Sequence, residues 1–139
     1  MYKRTESQLI LPGDFFLPFE GHLNPQNRWV KLANIIPWWE IEAKYEKNFK
    51  NTNAGKVAYS VRIALGALII KNRYGWSDVE TVNQITENPY LQYFIGFAKF
   101  EETRPFESSL ITRFRKRLGK DIINEVNELI TKETISPNI

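Results

Sequence analysis

The chain has no cysteine. That absence excludes a disulfide framework, a cysteine nucleophile and any thiolate metal site, and it fits a reducing cytosol. Histidine is nearly as scarce. The single copy, His22, lies in the loop-like stretch FEGHLNP at 19 to 25. It reads as a surface residue rather than the base of a Ser-His-Asp triad, and histidine-rich metal sites are excluded with it. Aspartate occurs only at 14, 78 and 121. Asp78 and Asp121 each fall in the first turn of an expected helix, where a carboxylate complements the helix dipole. Asp14 sits among aromatic residues. No carboxylate pair falls on an expected strand, where a two-metal nuclease would need its ligands to converge. The glycines are scattered as caps and turns, so no phosphate-cradling loop exists. No residue is therefore assigned a catalytic, metal-binding or cofactor-binding role. The longest apolar run, IALGALII at 63 to 70, is eight residues. A bilayer span needs about 20. The polar start MYKRTES lacks the apolar region of a signal peptide. These features predict a soluble, cytoplasmic chain with no membrane partner.

What is present is globular. Of 139 residues, 42% are hydrophobic, 14% aromatic and 25% charged, which suits one domain with its own core. The net charge is +3, too mild to indicate a partner by itself. Its distribution is uneven.

Residues 1 to 23 read as an irregular N-terminal arm, with Phe15, Phe16 and Phe19 among Pro12, Gly13, Pro18 and Gly21. Its aromatics are expected to dock on the body. A helical domain follows from 24 to 134, and 135 to 139 read as a frayed tail. Asn24-Pro25 marks a helix start, since Asn caps and Pro fits the first turn. Trp29, Leu32, Ala33 and Ile36 then recur at helical spacing. Pro37 separates that helix from one carrying Trp38, Ile41, Tyr45 and Phe49. Residues 50 to 56 form a polar loop. The segment 57 to 74 is apolar nearly all round, so it is expected to be the buried central helix. Gly66 inside it predicts close contact with a neighbouring helix. Ser77 and Glu80 have capping-box spacing, with Val79, Val82 and Ile85 facing the core. Asn88-Pro89 opens a short helix closed by Gly96. Ser108 caps a helix to Leu118, Gly119 breaks it, and Ile122, Val126 and Ile130 mark the last helix. No alternating run is long enough for a strand. The expected fold is an all-α, compact multi-helix bundle.

Residues 108 to 120 contain Arg113, Arg115, Lys116, Arg117 and Lys120 and no acid. On a helical wheel Leu110, Ile111, Phe114 and Leu118 share one side. Ser109, Thr112, Arg113 and Lys116 point away, with Arg115 and Arg117 at the flanks. A short polar and basic outer face suits a major groove, with hydroxyls near base edges and guanidiniums on phosphates. The plainer alternative is a solvated charged face. Residues 77 to 97 carry no Lys or Arg, but do carry Asp78, Glu80 and Glu87. Those two helices are expected to be the scaffold of the basic one, in a helix-turn-helix-like trihelical unit. The loop before Ser108 is longer than the usual tight turn. The tryptophans, by their helical spacing, are expected in the core. Trp38 and Trp39 are adjacent on a helix, so one of them is expected to face outward.

Several blocks together resemble a known family: NRWVKLANIIPW from 27, VRIALGALII from 61, WSDVETV from 76, ENPYLQYFIG from 87, PF from 105 and SSLITRFRKRLG from 108. In this order and spacing they resemble the N-terminal domain of InsH-type DDE transposases of bacterial and archaeal insertion sequences. The resemblance runs from about Phe15 to Val126. It implies a helical domain that binds the terminal inverted repeats of the element as double-stranded DNA. It also implies a following ribonuclease-H-like catalytic domain with an Asp-Asp-Glu triad and its metals. The chain stops about where that domain would begin. On this resemblance the chain itself is not an enzyme and is nucleoid-associated, and the basic pattern of 108 to 120 puts Ser109, Thr112, Arg113, Arg115, Lys116, Arg117 and Lys120 on the DNA. The alternatives are a helical module that pairs with itself or with a full-length transposase, or a truncated gene product without function.

Overall fold

The computed structural model of the chain describes residues 10 to 18, 20 to 45 and 60 to 135, with backbone alone at 120, 129, 130 and 132 to 135. Among these residues the architecture is all-α. Helix α1 spans Arg28–Ile35, α2 Trp38–Tyr45, α3 Val61–Tyr74, α4 Asp78–Glu87, α5 Pro89–Phe94 and α6 Leu110–Ile135. A 3-10 turn at Pro12–Asp14 precedes them. The expected extension of α2 to Phe49, the loop at 50 to 56, Val57 and residues 136 to 139 lie outside the described residues.

Helix α3 is the central strut, as its apolar surface predicts. Ala64, Leu65, Ala67, Leu68 and Ile70 are essentially sealed from solvent. Ser60 caps it by accepting the Ile63 amide at 3.2 Å, so the helix starts at Val61 rather than at 57. Helices α6, α2 and α4 pack against it, while α5 packs on α1 and α4. Phe94 closes the centre with two edge-on tryptophans, Trp29 at 4.7 Å and Trp38 at 5.4 Å between ring centroids. Trp38 is buried and Trp39 exposed, as adjacency on one helix requires.

Three local expectations are corrected. Helix α1 starts at Arg28, not at Asn24-Pro25. Asn24 instead begins a turn that closes with the Asn27 amide on its carbonyl at 3.0 Å. Asn27 is the cap, accepting from the Trp29 amide at 2.8 Å. Either Asn suits a cap, and only the turn decides between them. Val79 is 59% exposed rather than in the core, because α4 turns only Thr81, Val82 and Ile85 inward. In the capping box, Ser77 Oγ does accept the Glu80 amide at 3.0 Å. The Glu80 carboxylate, however, takes the Gln84 side-chain amide at 2.7 Å.

Residues 10 to 18 and 20 to 23 form a strap, and Phe19, also expected to dock, lies outside the described residues. Phe15, Leu17 and Leu23 are buried, whereas Phe16 is exposed. The Phe16 amide donates to the Ala98 carbonyl at 3.1 Å, and the Phe100 amide to the Phe16 carbonyl at 2.9 Å. The Tyr93 hydroxyl donates to the Ile10 carbonyl at 3.0 Å. His22 is exposed, with its Nδ1 3.2 Å from the Gly13 carbonyl oxygen.

Helix α6 begins at Leu110, two residues after the expected cap, and is broken at Gly119, where φ is 76° and ψ is 171°. That backbone region is essentially restricted to glycine. It divides α6 into a basic first arm and a second arm whose Ile122 and Val126 return to the core.

Candidate nucleic-acid interface

The first arm of α6 is held by its inner side. Ile111, Phe114 and Leu118 are 0%, 2% and 3% exposed, the i, i+3, i+7 pattern of one helical face. Phe114 meets Phe106 edge-on at 5.3 Å between centroids. The outer side carries what the sequence placed there. Ser109, Thr112, Arg113, Arg115 and Lys116 are exposed, and Arg117 at the flank is half-buried. The Lys120 side chain lies outside the described atoms.

The support differs from the expected one. Helix α6 as a whole packs chiefly on α3, with α1 second, and neither α4 nor α5 is among its main neighbours. The acidic pair forms a corner of its own around one residue. Asn88 ends α4 and also caps α5, its side chain accepting the Tyr90 amide at 2.9 Å.

The charged side chains sort into distinct groups. Lys44 pairs with Glu125 at 3.3 Å, Lys71 with Asp78 at 3.3 Å, Lys99 with Glu101 at 3.7 Å and Arg104 with Glu107 at 2.8 Å. The hydrogen bond from Lys44 to Glu125 raises the Lys44 pKa. Arg113, Arg115 and Lys116 make no such pair with a described carboxylate. Their charge faces solvent, as an electrostatic footprint for phosphates requires.

Two polar residues inside the family-like blocks escaped the sequence reading. Arg62 is 1% exposed. It donates from Nε to the Phe94 carbonyl at 3.0 Å and from Nη2 to the Tyr93 carbonyl at 3.1 Å. Its guanidinium lies 4.7 Å from the Trp38 ring centroid. Burial lowers its pKa to about 10, against the opposing pull of Tyr93 and Glu42; it stays charged at neutral pH. Gln92 is fully buried. Its amide nitrogen reaches the carbonyls of Ile85, Thr86 and Glu101 at 3.0, 3.2 and 2.9 Å, and its oxygen accepts the Glu101 amide at 2.8 Å. It thereby ties α4, α5 and the loop before α6 together. The available signal was a polar residue on an otherwise core-facing pattern: Arg62 in VRIALGALII and Gln92 in ENPYLQYFIG.

Residues 17 to 117 match the family described as "Transposase domain (DUF772)". The chain belongs to this transposase-domain family. A protein of Rhizobium meliloti described as "Uncharacterized protein ORF8 in nfe locus" is 33% identical over 104 residues, covering 75% of this chain and 49% of the relative. The chain thus spans about half the length of that curated relative. No solved structure matches. In this transposase domain ENPYLQYFIG builds a cap, a hub and a core contact, so the most distinctive block organises the fold. The SSLITRFRKRLG block combines a core face with a basic one. Among the described residues no group of three His, Asp or Glu is placed to hold a metal ion. No described helix is long and apolar enough to cross a membrane.

Proposed function

We propose that the chain is the DNA-binding N-terminal domain of an InsH-type insertion-sequence transposase, and that it holds the terminal inverted repeats of its element. One observation carries this reading. Arg113, Arg115 and Lys116 are exposed and without ion pairs to described carboxylates, on a helix whose opposite face is anchored in the core. A rigid helix presenting unopposed cations and small hydroxyls fits a major groove. The α4–α5 corner and α6 are read as a helix-turn-helix-like unit in which α3, not α4 or α5, is the main support of the reading helix. Arg113, Thr112 and Ser109 approach base edges, while Arg115, Lys116, Arg117 and Lys120 neutralise phosphates. Strand cleavage belongs to a catalytic region outside this chain, and the domain works at the nucleoid.

The test is binding of a labelled duplex carrying the element's terminal repeat, beside a random duplex, as a function of salt. Each phosphate contact contributes about −0.9 to the slope of log K against log salt. Arg115→Ala should weaken both duplexes equally. Arg113→Ala should also reduce the preference for the repeat, by the ~1–3 kcal/mol an arginine on guanine contributes. Equal losses on both duplexes for both variants would remove the base-reading role of Arg113. A second reading, a pairing module for a full-length transposase, is favoured by Trp39, 59% exposed beside buried Trp38. Concentration-dependent dimerisation without DNA binding would select it.

A further inference from the structure

A second group of cations stands apart from α6. Arg28 and Lys31 on α1 and Arg73 on α3 are exposed. None pairs with a described carboxylate. The helix ends that carry them, the start of α1 and the end of α3, meet at one corner. The Arg28 guanidinium lies 5.8 Å from the ring centroid of Tyr74, the residue after Arg73. Lys31 follows Arg28 by three residues, which places both on one helical face. Neither 21 to 39 nor 60 to 77 contains an acid, and Asp78, next along the chain, is taken by Lys71.

Folding gives only part of the reason for this arrangement. Arg28 occupies the first turn of α1, a turn without an acidic residue, where a cation opposes the helix dipole. Its compensation is the Tyr74 ring rather than a carboxylate, which leaves the charge itself available to a ligand. The Tyr74 ring beneath Arg28 is itself fixed. It stacks on Trp76 at 4.1 Å between centroids with 20° between planes, and its hydroxyl accepts the Trp29 indole N–H at 3.0 Å. An arginine held over a fixed ring has less freedom to lose on binding. Helices α1 and α3 both pack on α6, so this corner and the basic arm have a set separation.

We propose that Arg28, Lys31 and Arg73 form a second, sequence-indifferent surface that holds the phosphate backbone of the duplex read by α6. The inference takes its ligand from the reading of α6 as a DNA face. Phosphate contacts position a duplex and carry no sequence information, so the two surfaces divide the work: one reads, the other clamps.

The test is a chain carrying Arg28→Gln, Lys31→Gln and Arg73→Gln together, titrated with repeat and random duplexes across a salt series. Three lost phosphate contacts should make the slope shallower by about 2.7 on both duplexes, with the repeat-to-random ratio and the melting temperature unchanged. An Arg113→Ala, Lys116→Ala chain should instead reduce both the slope and the ratio. An unchanged slope in the first chain beside a reduced one in the second overturns this inference alone. The reverse pattern overturns the reading of α6 and leaves the second surface standing. Acetylation of Lys31 in the unaltered chain provides a check without mutation. Bound duplex should slow it, and equal rates with and without duplex overturn the proposal. Loss of polyglutamate binding in the triple variant with duplex binding intact overturns it in favour of an acidic protein partner.

Discussion

Gly66 and Ile95 touch where α3 crosses the end of α5. A Cβ placed on Gly66 would stand 2.9 Å from Ile95 Cγ2 and 3.3 Å from Ile95 Cα. Alanine at 66 would gain up to about 1 kcal/mol in helix propensity. It must also displace a β-branched side chain and backbone, and overpacking of this kind costs about 1–3 kcal/mol. Gly66→Ala is therefore expected to lower stability by about 1 kcal/mol and Gly66→Val by more. Combining Gly66→Ala with Ile95→Ala should cost less than the sum of the two, because the second change removes the obstructing methyl. Denaturant melts of the four chains measure that coupling, and additive losses would show that the contact is not the reason for the glycine.

Arg62 is the charge the core cannot lose cheaply. Arg62→Met leaves the Phe94 carbonyl without its side-chain donor and removes the cation acting on buried Glu42. The expected loss is about 3 kcal/mol, within the range for breaking buried charged networks. Arg62→Lys should recover part of it, since an ammonium cannot reproduce the fork that engages both carbonyls. Equal stability of the two variants by chemical denaturation would argue against a geometric role for the guanidinium.

Gln92 joins three segments through one amide. Gln92→Leu keeps the volume but strands the Glu101 amide and several carbonyls, at about 2–3 kcal/mol. Gln92→Glu should cost more at neutral pH, because a carboxylate cannot donate to those carbonyls and would be a buried charge. Hydrogen exchange at Glu101 is expected to quicken in both. Retained protection there would show that another group holds the loop.

In a cell, a chain that binds element ends should compete with an intact transposase. At equal affinity and tenfold excess it would occupy about ten of every eleven ends. Transposition of a marked element should fall with the dose of this chain and recover when Arg113, Arg115, Lys116 and Arg117 become alanine. An undiminished frequency with abundant folded chain would remove the regulatory consequence.

What the sequence determined by itself is the set of properties that depend on near neighbours. The α3 strut, the Ser77 and Asn88 caps, the break at Gly119 and the inward Ile111, Phe114 and Leu118 follow from helical period and local backbone chemistry. These act within a few residues, so one chain suffices to read them. The basic outer face of α6 was legible for the same reason. What only the tertiary structure decided depends on which distant segments meet. It chose Asn27 over Asn24 as the α1 cap, turned Val79 outward and seated α6 on α3 instead of the acidic pair. It buried Arg62 against carbonyls 31 and 32 residues away and closed Gln92 onto a loop nine residues on. It also sorted the cations, because an ion pair depends on where Asp78 or Glu125 arrives in space. The corner formed by Arg28, Lys31 and Arg73 exists only because the start of α1 lies beside the end of α3, a proximity set by core packing and by no local pattern in either segment.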